Sequence, residues 1–211
     1  MAIPVMILGE SGTGKSASLR NFQPEEVAVI DVSGKPLPFR TKLPILKTDS
    51  YHMIRKALLA NKTIPAFVVD DAQYLMANEF MRRSNERGYD KFSEIAFNFW
   101  SLIQEIVVQQ MPEHQIVYFL MHTDTTDDGL VRAKTIGKLL NEKISLEGLF
   151  TIVLRTNVND GVYTFRTVNS GADTVKAPMG MFSASEIDND LKQVDKTIRE
   201  YYGIENKEET K

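Results

Sequence analysis

Five short, nearly continuous apolar segments predict buried β-strands along the chain. They lie within residues 2–8, 26–33, 65–75, 114–122 and 149–158. The first segment stops at Gly9, and the third contains two successive aspartates, Asp70 and Asp71. Because both faces of such strands are apolar, the pattern favours a parallel sheet that is covered on both sides.

Segments with apolar residues at helical spacing separate the predicted strands. They predict helices within residues 15–21, 50–62, 72–86, 90–111, 134–144 and 184–202. Ser50 is the expected N-cap of the second helix, and a polar loop is expected at 123–134. Strands that alternate with helices indicate an α/β fold with a mainly parallel sheet between two helical layers.

An antiparallel hairpin is predicted at one edge of this sheet. Residues 161–169 follow the fifth strand through a turn that contains Asp160-Gly161, and an Asp-Gly pair is a strong hairpin signal. No linker or internal repeat divides the chain. We therefore expect one domain over residues 1–203 and a flexible tail at 204–211.

Composition and charge narrow the possible functions. The 211 residues carry a net charge of −3, so any contact with nucleic acid must come from a local basic patch. The chain has no cysteine, which excludes disulfides and thiolate metal sites. No apolar run reaches the length of a membrane span, and the N-terminus lacks the pattern of a signal peptide. We expect a cytoplasmic protein without membrane contact.

The segment Gly9–Ser16, GESGTGKS, matches the P-loop (Walker A) pattern G-x-x-x-x-G-K-[ST] in full. This glycine-rich loop lies between a predicted strand and a predicted helix, which argues against a turn that binds nothing. Its glycines let backbone N–H groups point at phosphate oxygens, and the helix start adds positive potential. The predicted ATP-binding residues are Gly9, Glu10, Ser11, Gly12, Thr13, Gly14, Lys15, Ser16 and Ala17.

Five side chains carry the predicted catalytic and metal-binding chemistry. Lys15 would reach the β- and γ-phosphates, and the Ser16 hydroxyl would bind Mg²⁺. Asp70, at the end of the third strand, would hold the same Mg²⁺ through water. Asp71 either caps the next helix or acts at the nucleotide. His122, at the end of the fourth strand, is either structural or a γ-phosphate sensor that moves the loop 123–134 on hydrolysis.

Basic residues flank the loop that follows His122. They are Arg132, Lys134 and Lys138. Three interpretations stay open for them: a charge inserted into a neighbouring subunit's site, contacts with DNA phosphates, or an ordinary solvated helix start.

Taken together, these motifs resemble the small phage-encoded RecA-like or AAA-like P-loop ATPases, a group that includes single-strand-annealing ATPases of phage recombination. The similar stretches are Gly9–Ser16, AVID at 28–31, FVVDD at 67–71, the strand ending in His122, residues 88–103 and residues 176–182. The resemblance covers about residues 3–200. It implies a RecA-like three-layer sandwich, Mg-ATP hydrolysis and an oligomer. It also implies single-stranded DNA contacts from residues 123–135, with phage or host recombination and replication proteins as further partners.

One position departs from this resemblance. RecA-like ATPases usually carry a glutamate two residues after the aspartate that ends the second strand, and here that position is Ser33. Asp71 is the preferred substitute as general base, with Glu10 as a weaker candidate. Without a base, the protein would be a nucleotide-held scaffold.

Two further enzyme classes stay open as alternatives. A P-loop kinase would need an arginine-rich lid, and no such segment is evident in the sequence. An AAA+-type helicase loader or motor would need a helical lid domain, for which little sequence remains after residue 170.

Overall fold

The computed structural model describes residues 1–204, so all of the predicted tail except Ile204 lies outside the described residues. The strands are β1 (Ile3–Leu8), β2 (Val27–Asp31), β3 (Ile45–Lys47), β4 (Ala66–Asp70), β5 (Ile116–Met121), β6 (Thr123–Thr125), β7 (Val131–Ala133), β8 (Ile152–Asn159), β9 (Val162–Arg166) and β10 (Glu186–Asp188). The α-helices are α1 (Tyr51–Ala60), α2 (Gln73–Arg82), α3 (Asp90–Ser101) and α4 (Leu191–Tyr202). Shorter helical segments are the 3₁₀ turns Ser16–Leu19 and Leu146–Leu149 and the π-helical segments Leu102–Val108 and Leu139–Ile144.

Eight strands form one mainly parallel sheet in the order β10-β9-β8-β1-β5-β4-β2-β3. The six strands from β8 to β3 are parallel, while β9 and β10 are antiparallel at one edge. The predicted α/β class and the antiparallel hairpin are therefore confirmed. Strand β5 lies between β1 and β4 and is parallel to both, so the carboxyl ends of all three strands lie at one edge of the sheet.

Buried side chains form a core on each face of the sheet, as the apolar strands predict. In β1, Met6 and Leu8 pack on the face that α1, α2 and α3 cover. Val5 and Ile7 pack on the opposite face, against α4 and the turn Ser16–Leu19. Each fully buried aliphatic side chain stabilises the fold by about 1.5–3 kcal/mol. The arrangement is a sandwich of helices, sheet and helices.

The helix predicted at 15–21 is wrong, because residues Ser16–Leu19 form only one 3₁₀ turn. Hydrogen bonds to residues far away in the sequence hold the next two residues outside a regular helix. Arg20 donates a hydrogen bond to the carbonyl oxygen of Asn189, and Asn21 donates one to the Asp190 carboxylate. The glycine-rich loop therefore lacks a long helix dipole behind it, and its own backbone must provide most of the positive potential.

The polar loop predicted at 123–134 is also wrong in detail. Residues Thr123–Thr125 and Val131–Ala133 pair as an antiparallel hairpin, β6–β7. Thr and Val have branched side chains that favour strands, and Gly129 supplies a positive φ of 85° in the turn. The helix expected over 134–144 is reduced to the π-helical segment Leu139–Ile144. The loop region is therefore an ordered arm rather than an irregular connection.

Three smaller predictions also need correction. The last helix begins at Leu191 rather than 184, since residues Glu186–Asp188 join the sheet as β10 and Asp190 caps α4. Strand β3 was missed because three half-exposed residues give almost no apolar signal. Ser50 does occupy the N-cap position of α1, but its side chain makes no capping hydrogen bond.

A buried polar cluster joins α4 to the sheet. The Tyr118 hydroxyl donates to Oδ1 of Asp195 at 2.8 Å, and Nε of Arg199 donates to Oδ2 at 2.6 Å. Arg199 also donates to the carbonyl oxygens of His114 and Pro65, next to the amino ends of β5 and β4. Burial raises the pKa of Asp195, and the bonds from Arg199 and Tyr118 only partly offset this effect.

The substitution Tyr118→Phe tests this cluster. It removes one donor from a buried carboxylate, so we expect a loss of about 1–2 kcal/mol in the free energy of unfolding. For a chain of this size that corresponds to a melting temperature lower by about 2–8 °C in a calorimetric scan. Tyr202→Phe is the control, because the Tyr202 side chain is exposed on α4. Equal melting temperatures for Tyr118→Phe and the wild type would contradict the prediction.

Candidate functional site

The glycine-rich loop wraps around the ammonium group of its own lysine. Lys15 is 6% exposed, and its Nζ donates to the carbonyl oxygens of Gly9 at 2.8 Å and Glu10 at 2.7 Å. Gly12 and Gly14 have φ values of +79° and +94°, which residues with a side chain rarely adopt. The glycines at these two positions are thus required by the shape of the loop.

Burial lowers the pKa of Lys15, while the negative charges of Asp71, Asp70 and Glu10 act in the opposite direction. Burial therefore destabilises the ammonium more than these carboxylates stabilise it. A phosphate in direct contact with Nζ would add the favourable interaction that burial removes.

Ser16 and Asp70 meet across 54 residues of sequence. The Ser16 hydroxyl donates to Oδ1 of Asp70 at 2.9 Å, and Asp70 is only 7% exposed. Burial raises the pKa of Asp70 to about 6, the neighbouring charges of Asp71 and Asp31 add to the rise, and the Ser16 bond opposes it. The two residues predicted to hold Mg²⁺ are therefore in direct contact.

These two side chains fit a magnesium ion. Hydroxyl and carboxylate oxygens are hard ligands, and Mg²⁺ typically takes one or two such protein ligands and fills the rest of its octahedron with water and phosphate. Within residues 1–204, no group of three or more His, Asp or Glu side chains gathers into a cage that holds a metal alone. When bound, the ion would neutralise phosphate charge between Ser16 and Asp70.

Asp71 and His122 form the second contact of the site. Nε2 of His122 lies 3.2 Å from Oδ1 of Asp71, and the His122 backbone N–H donates to the side chain of Gln73. The helix-capping alternative for Asp71 is wrong: Ala72 occupies the N-cap position of α2, and the Asp71 carboxylate turns to His122 instead. Asp71 also has a φ of +58°, and such strained positions cluster at functional sites.

The Asp71 carboxylate is held in its ionised form. Burial alone would raise its pKa, but the hydrogen bond and charge of His122, together with the charge of Lys15, outweigh burial and lower the pKa. Asp70 and Asp71 are adjacent in the chain, yet their pKa values move in opposite directions. Neighbouring carboxyl groups whose pKa values are moved apart are typical of sites in which the two groups have different roles, here the predicted metal binding by Asp70 and proton acceptance by Asp71.

Ser33 lies beside the aspartate that ends β2. Its hydroxyl donates to Oδ1 of Asp31 at 3.2 Å, and the backbone N–H of Gly34 donates to the same oxygen at 2.8 Å. The other oxygen, Oδ2, is buried and has no hydrogen-bond partner among residues 1–204. Asp31 and Asp70 are paired residues of neighbouring strands, so Asp31 adds negative charge behind the Ser16–Asp70 contact. Glu10, the weaker candidate for the base, is exposed at the outer side of the loop.

Thr156, in the middle of β8, was missed in the sequence. Its hydroxyl is 2.6 Å from the hydroxyl of Thr13 and donates to the carbonyl oxygen of Leu8. A Cβ atom on Gly9 would lie 1.9 Å from the Thr156 Oγ1, so Gly9 is needed for this contact. A polar residue inside a predicted strand was the available signal, and it is a weak one.

Tyr163 and Asn189 also contact the glycine-rich loop and were missed. A Cβ atom on Gly14 would lie 2.9 Å from Cδ1 of Tyr163 and 3.1 Å from Oδ1 of Asn189. Both residues are far away in sequence, and no local pattern links them to the loop.

The three predicted basic residues do not form one surface. Arg132 is half-buried on β7, opposite Asp124 of β6. Lys134 is exposed, and its backbone N–H donates to the carbonyl oxygen of His122. Lys138 is exposed and forms an ion pair with Glu142 at 3.5 Å. Arg132 and Lys134 lie in the segment 123–134 that follows His122, whereas Lys138 lies beyond it.

Exposed loop positions complete the predicted ATP-binding set. Ser11 and Gly12 lie at the exposed tip of the glycine-rich loop, and Ala17 is half-buried in the following turn. The structure therefore places every predicted loop residue at the same edge of the sheet as Asp70, Asp71 and His122.

No protein-family model matches this chain, and a search of curated proteins finds no significant similarity. Among residues 1–204, no helix is both long enough and apolar enough to cross a lipid bilayer. Any functional assignment must therefore come from the geometry and chemistry of the site.

Proposed function

We propose that this protein is a RecA-like P-loop ATPase that binds Mg-ATP at the glycine-rich loop and hydrolyses it. The observation that carries the proposal is the 2.9 Å hydrogen bond from Ser16 to Asp70. It joins the last residue of the P-loop pattern to a buried carboxylate at the end of β4, where a P-loop enzyme needs its two magnesium ligands. A glycine-rich turn without a ligand gives no reason to bury that carboxylate.

Each charged group then has a distinct task. The Lys15 ammonium exchanges its carbonyl partners for phosphate oxygens and stabilises the charge that spreads over the transferred phosphoryl group. Backbone N–H groups of the loop cradle the phosphates, with Gly12 and Gly14 keeping the chain in the required conformation. Ser16 and Asp70 would hold the metal, which would supply further charge neutralisation.

Asp71 is the proposed acceptor of the proton from the attacking water. It is ionised at neutral pH, and it directly follows Asp70 at the same edge of the sheet. His122 orients the carboxylate through its 3.2 Å contact. In the RecA-like pattern a glutamate usually orients the attacking water, and here Ser33 occupies its position. Asp71 is proposed to take over the role of that glutamate.

The β6–β7 arm is the proposed link to single-stranded DNA. It begins directly after His122, and its far strand returns to hydrogen-bond the His122 carbonyl oxygen through Lys134. A shift of His122 on hydrolysis would therefore move the arm. The range 123–135 contains three aspartates and two basic residues, a net charge of −1, so DNA contact would depend on Arg132 and Lys134 individually. Self-association and recombination or replication partners belong to the same proposal.

A nucleotide-held scaffold is the second candidate, and one observation favours it. Asp71 is already engaged by His122, and Ser33 offers no carboxylate in its place. If Asp71 does not release toward water, ATP binding would persist with very slow turnover. The conformational state of the β6–β7 arm would then report bound nucleotide.

Steady-state hydrolysis of ATP distinguishes these possibilities. We expect turnover that requires Mg²⁺, stops with a chelator, and rises with single-stranded DNA in a salt-dependent manner. Tight Mg-ATP binding without turnover and without a response to DNA would favour the scaffold. Phosphorylated product formed from an added nucleoside monophosphate would contradict the ATPase proposal and favour a kinase. Absence of Mg-ATP binding would contradict the proposal as a whole.

A further inference from the structure

The glycine-rich loop has two sides that differ in chemistry. Strand β1 lies between β5 and β8 in the sheet. Toward β5 and β4 are the acidic and metal-binding groups, Asp70, Asp71 and His122. On the side of β8 and β9, the side chains that contact the loop are uncharged: Thr156 contacts Thr13, and Tyr163 and Asn189 lie beside Gly14.

If the proposed function holds, this asymmetry sets the direction of the nucleotide. The γ-phosphate and Mg²⁺ belong on the side of Asp70 and His122, since that is where the metal ligands stand. An extended nucleotide must then direct its ribose and base away from them, across the loop toward β8 and β9. The groups that meet the base must therefore come from that side.

Tyr163 has the properties of a stacking surface at this position. The edge of its ring packs against Gly14, where a Cβ atom would lie only 2.9 Å from Cδ1. The side chain nevertheless stays 46% exposed, although tyrosine rings in folded proteins are usually more covered. A rigid aromatic ring with one accessible face is the usual platform for a nucleobase.

Asn189 provides an independent observation that points to a ligand. The residue is 3% exposed, and its Nδ2 has no hydrogen-bond partner among residues 1–204. A buried amide donor without a partner is unfavourable unless something else accepts its hydrogen bond. The amide lies 3.1–3.2 Å from the position that a Cβ of Gly14 would occupy, so it is at the loop.

The backbone around Asn189 is held by the turn that follows the loop. Arg20 donates to the Asn189 carbonyl oxygen at 2.6 Å, and Asn21 donates to the Asp190 carboxylate at 2.7 Å. Asp190 in turn caps α4 by accepting from the N–H of Lys192. The main chain on either side of the amide is therefore tied down, while the amide nitrogen itself has no partner. Such pre-organisation is expected of a recognition group.

We propose that Tyr163 and Asn189 form a nucleobase subsite in which the Tyr163 ring stacks on adenine and the Asn189 amide hydrogen-bonds the adenine edge. An asparagine amide offers one donor and one acceptor, and adenine presents the matching acceptor and donor. Guanine presents two acceptors on the corresponding edge, N7 and O6, and one of them would face the amide oxygen. The subsite therefore selects ATP over GTP.

Calorimetric titration with Mg-ATP, Mg-GTP and magnesium tripolyphosphate tests the subsite, because tripolyphosphate has no base. We expect the wild type to bind ATP about tenfold or more tightly than GTP. Tyr163→Leu should lower the affinity for ATP about tenfold and leave the affinity for tripolyphosphate within about twofold of the wild-type value. Asn189→Asp should remove the preference for ATP over GTP. Tyr202→Leu, which replaces a similarly exposed tyrosine on α4, should change none of these affinities.

Tripolyphosphate binding also reports that each variant is folded. If Tyr163→Leu lowers the affinities for ATP and tripolyphosphate equally, or lowers neither, the proposed subsite is wrong. Phosphate binding that depends on Lys15 would still support the ATPase proposal. If the wild type binds ATP and GTP equally, the assigned role of Asn189 is wrong. If the wild type binds none of the three ligands, both the subsite and the proposed function fail.

Discussion

Replacing Lys15 by alanine is expected to lower the rate of ATP hydrolysis about 100- to 1000-fold, the effect of removing one pre-organised charge from a phosphoryl-transfer site. The side chain is almost fully buried inside the glycine-rich loop, and its ammonium contacts two loop carbonyls directly. Among residues 1–204, the other charged groups that act on Lys15 are the carboxylates Asp70, Asp71 and Glu10, so no second cation there compensates for its loss.

The rate should be measured at saturating Mg-ATP, together with nucleotide affinity, so that binding and turnover are separated. Lys42→Ala is the matched control, because Lys42 is an exposed lysine outside the site. Lys15→Arg should not restore the rate, since a planar guanidinium does not fit a space shaped around a compact ammonium. Hydrolysis by Lys15→Ala at the wild-type rate would show that the activity does not arise at this loop.

Replacing Asp70 by asparagine should change activity and stability in opposite directions. Turnover should fall about 100-fold or more, because the variant loses the carboxylate that holds Mg²⁺. The folded protein without metal should become more stable, since asparagine can still accept the Ser16 hydrogen bond and carries no buried charge. A group retained at a cost in stability is the expected signature of a functional residue.

The pH dependence of the stability effect follows from linkage. The pKa of Asp70 is about 6 in the folded protein and has an ordinary value of 3.8 when the chain is unfolded. Between these values Asp70 binds more protons in the folded state than in the unfolded state, so the contribution of Asp70 to stability falls as pH rises from about 4 to about 6 and is constant above. The difference of about two pKa units corresponds to about 3 kcal/mol.

Thermal unfolding at several pH values in the presence of a chelator measures this effect. Above pH 6, Asp70→Asn should melt about 6–12 °C higher than the wild type, and near pH 4 the difference should disappear. Addition of Mg-ATP should raise the melting temperature of the wild type more than that of the variant, because the variant keeps the phosphate loop but loses the carboxylate ligand of the metal. Asp127→Asn, in the exposed turn of the β6–β7 arm, is the control. A variant that melts lower than the wild type at pH 7.5 would refute the assignment of Asp70 as a destabilising buried carboxylate.

The central strands were predicted well because each of them is a continuous apolar run, so the burial of the strand can be read from its own residues. The apolar runs that became β1, β2, β4, β5 and β8 are each buried on both faces, and such runs have few alternatives to a central strand. Ile45–Lys47 and Glu186–Asp188 escaped prediction, since edge strands of three half-exposed residues carry no comparable pattern. Their pairing depends on the neighbouring strand and not on their own composition.

The glycine-rich loop could be predicted from the sequence, whereas the contact between Asp71 and His122 could not. The loop residues from Gly9 to Ser16 are contiguous, so their spacing alone predicted the phosphate cradle. The contact between Asp71 and His122 could not be predicted, because Asp71 has an equally good local alternative as a helix cap. Only the neighbouring ends of β4 and β5 decide between the two, by bringing His122 within 3.2 Å.

By itself, the sequence determined the α/β class, the position of the glycine-rich loop after the first strand, and the carboxylate at the end of β4. These features depend on short-range periodicity and on residue types that few other structures require. The tertiary structure alone decided the insertion of β5 between β1 and β4, the shortening of the helix after the loop, and the approach of Tyr163 and Asn189 to Gly14. Such contacts join residues far apart in the chain, and their free energy comes from partners that no local pattern can contain.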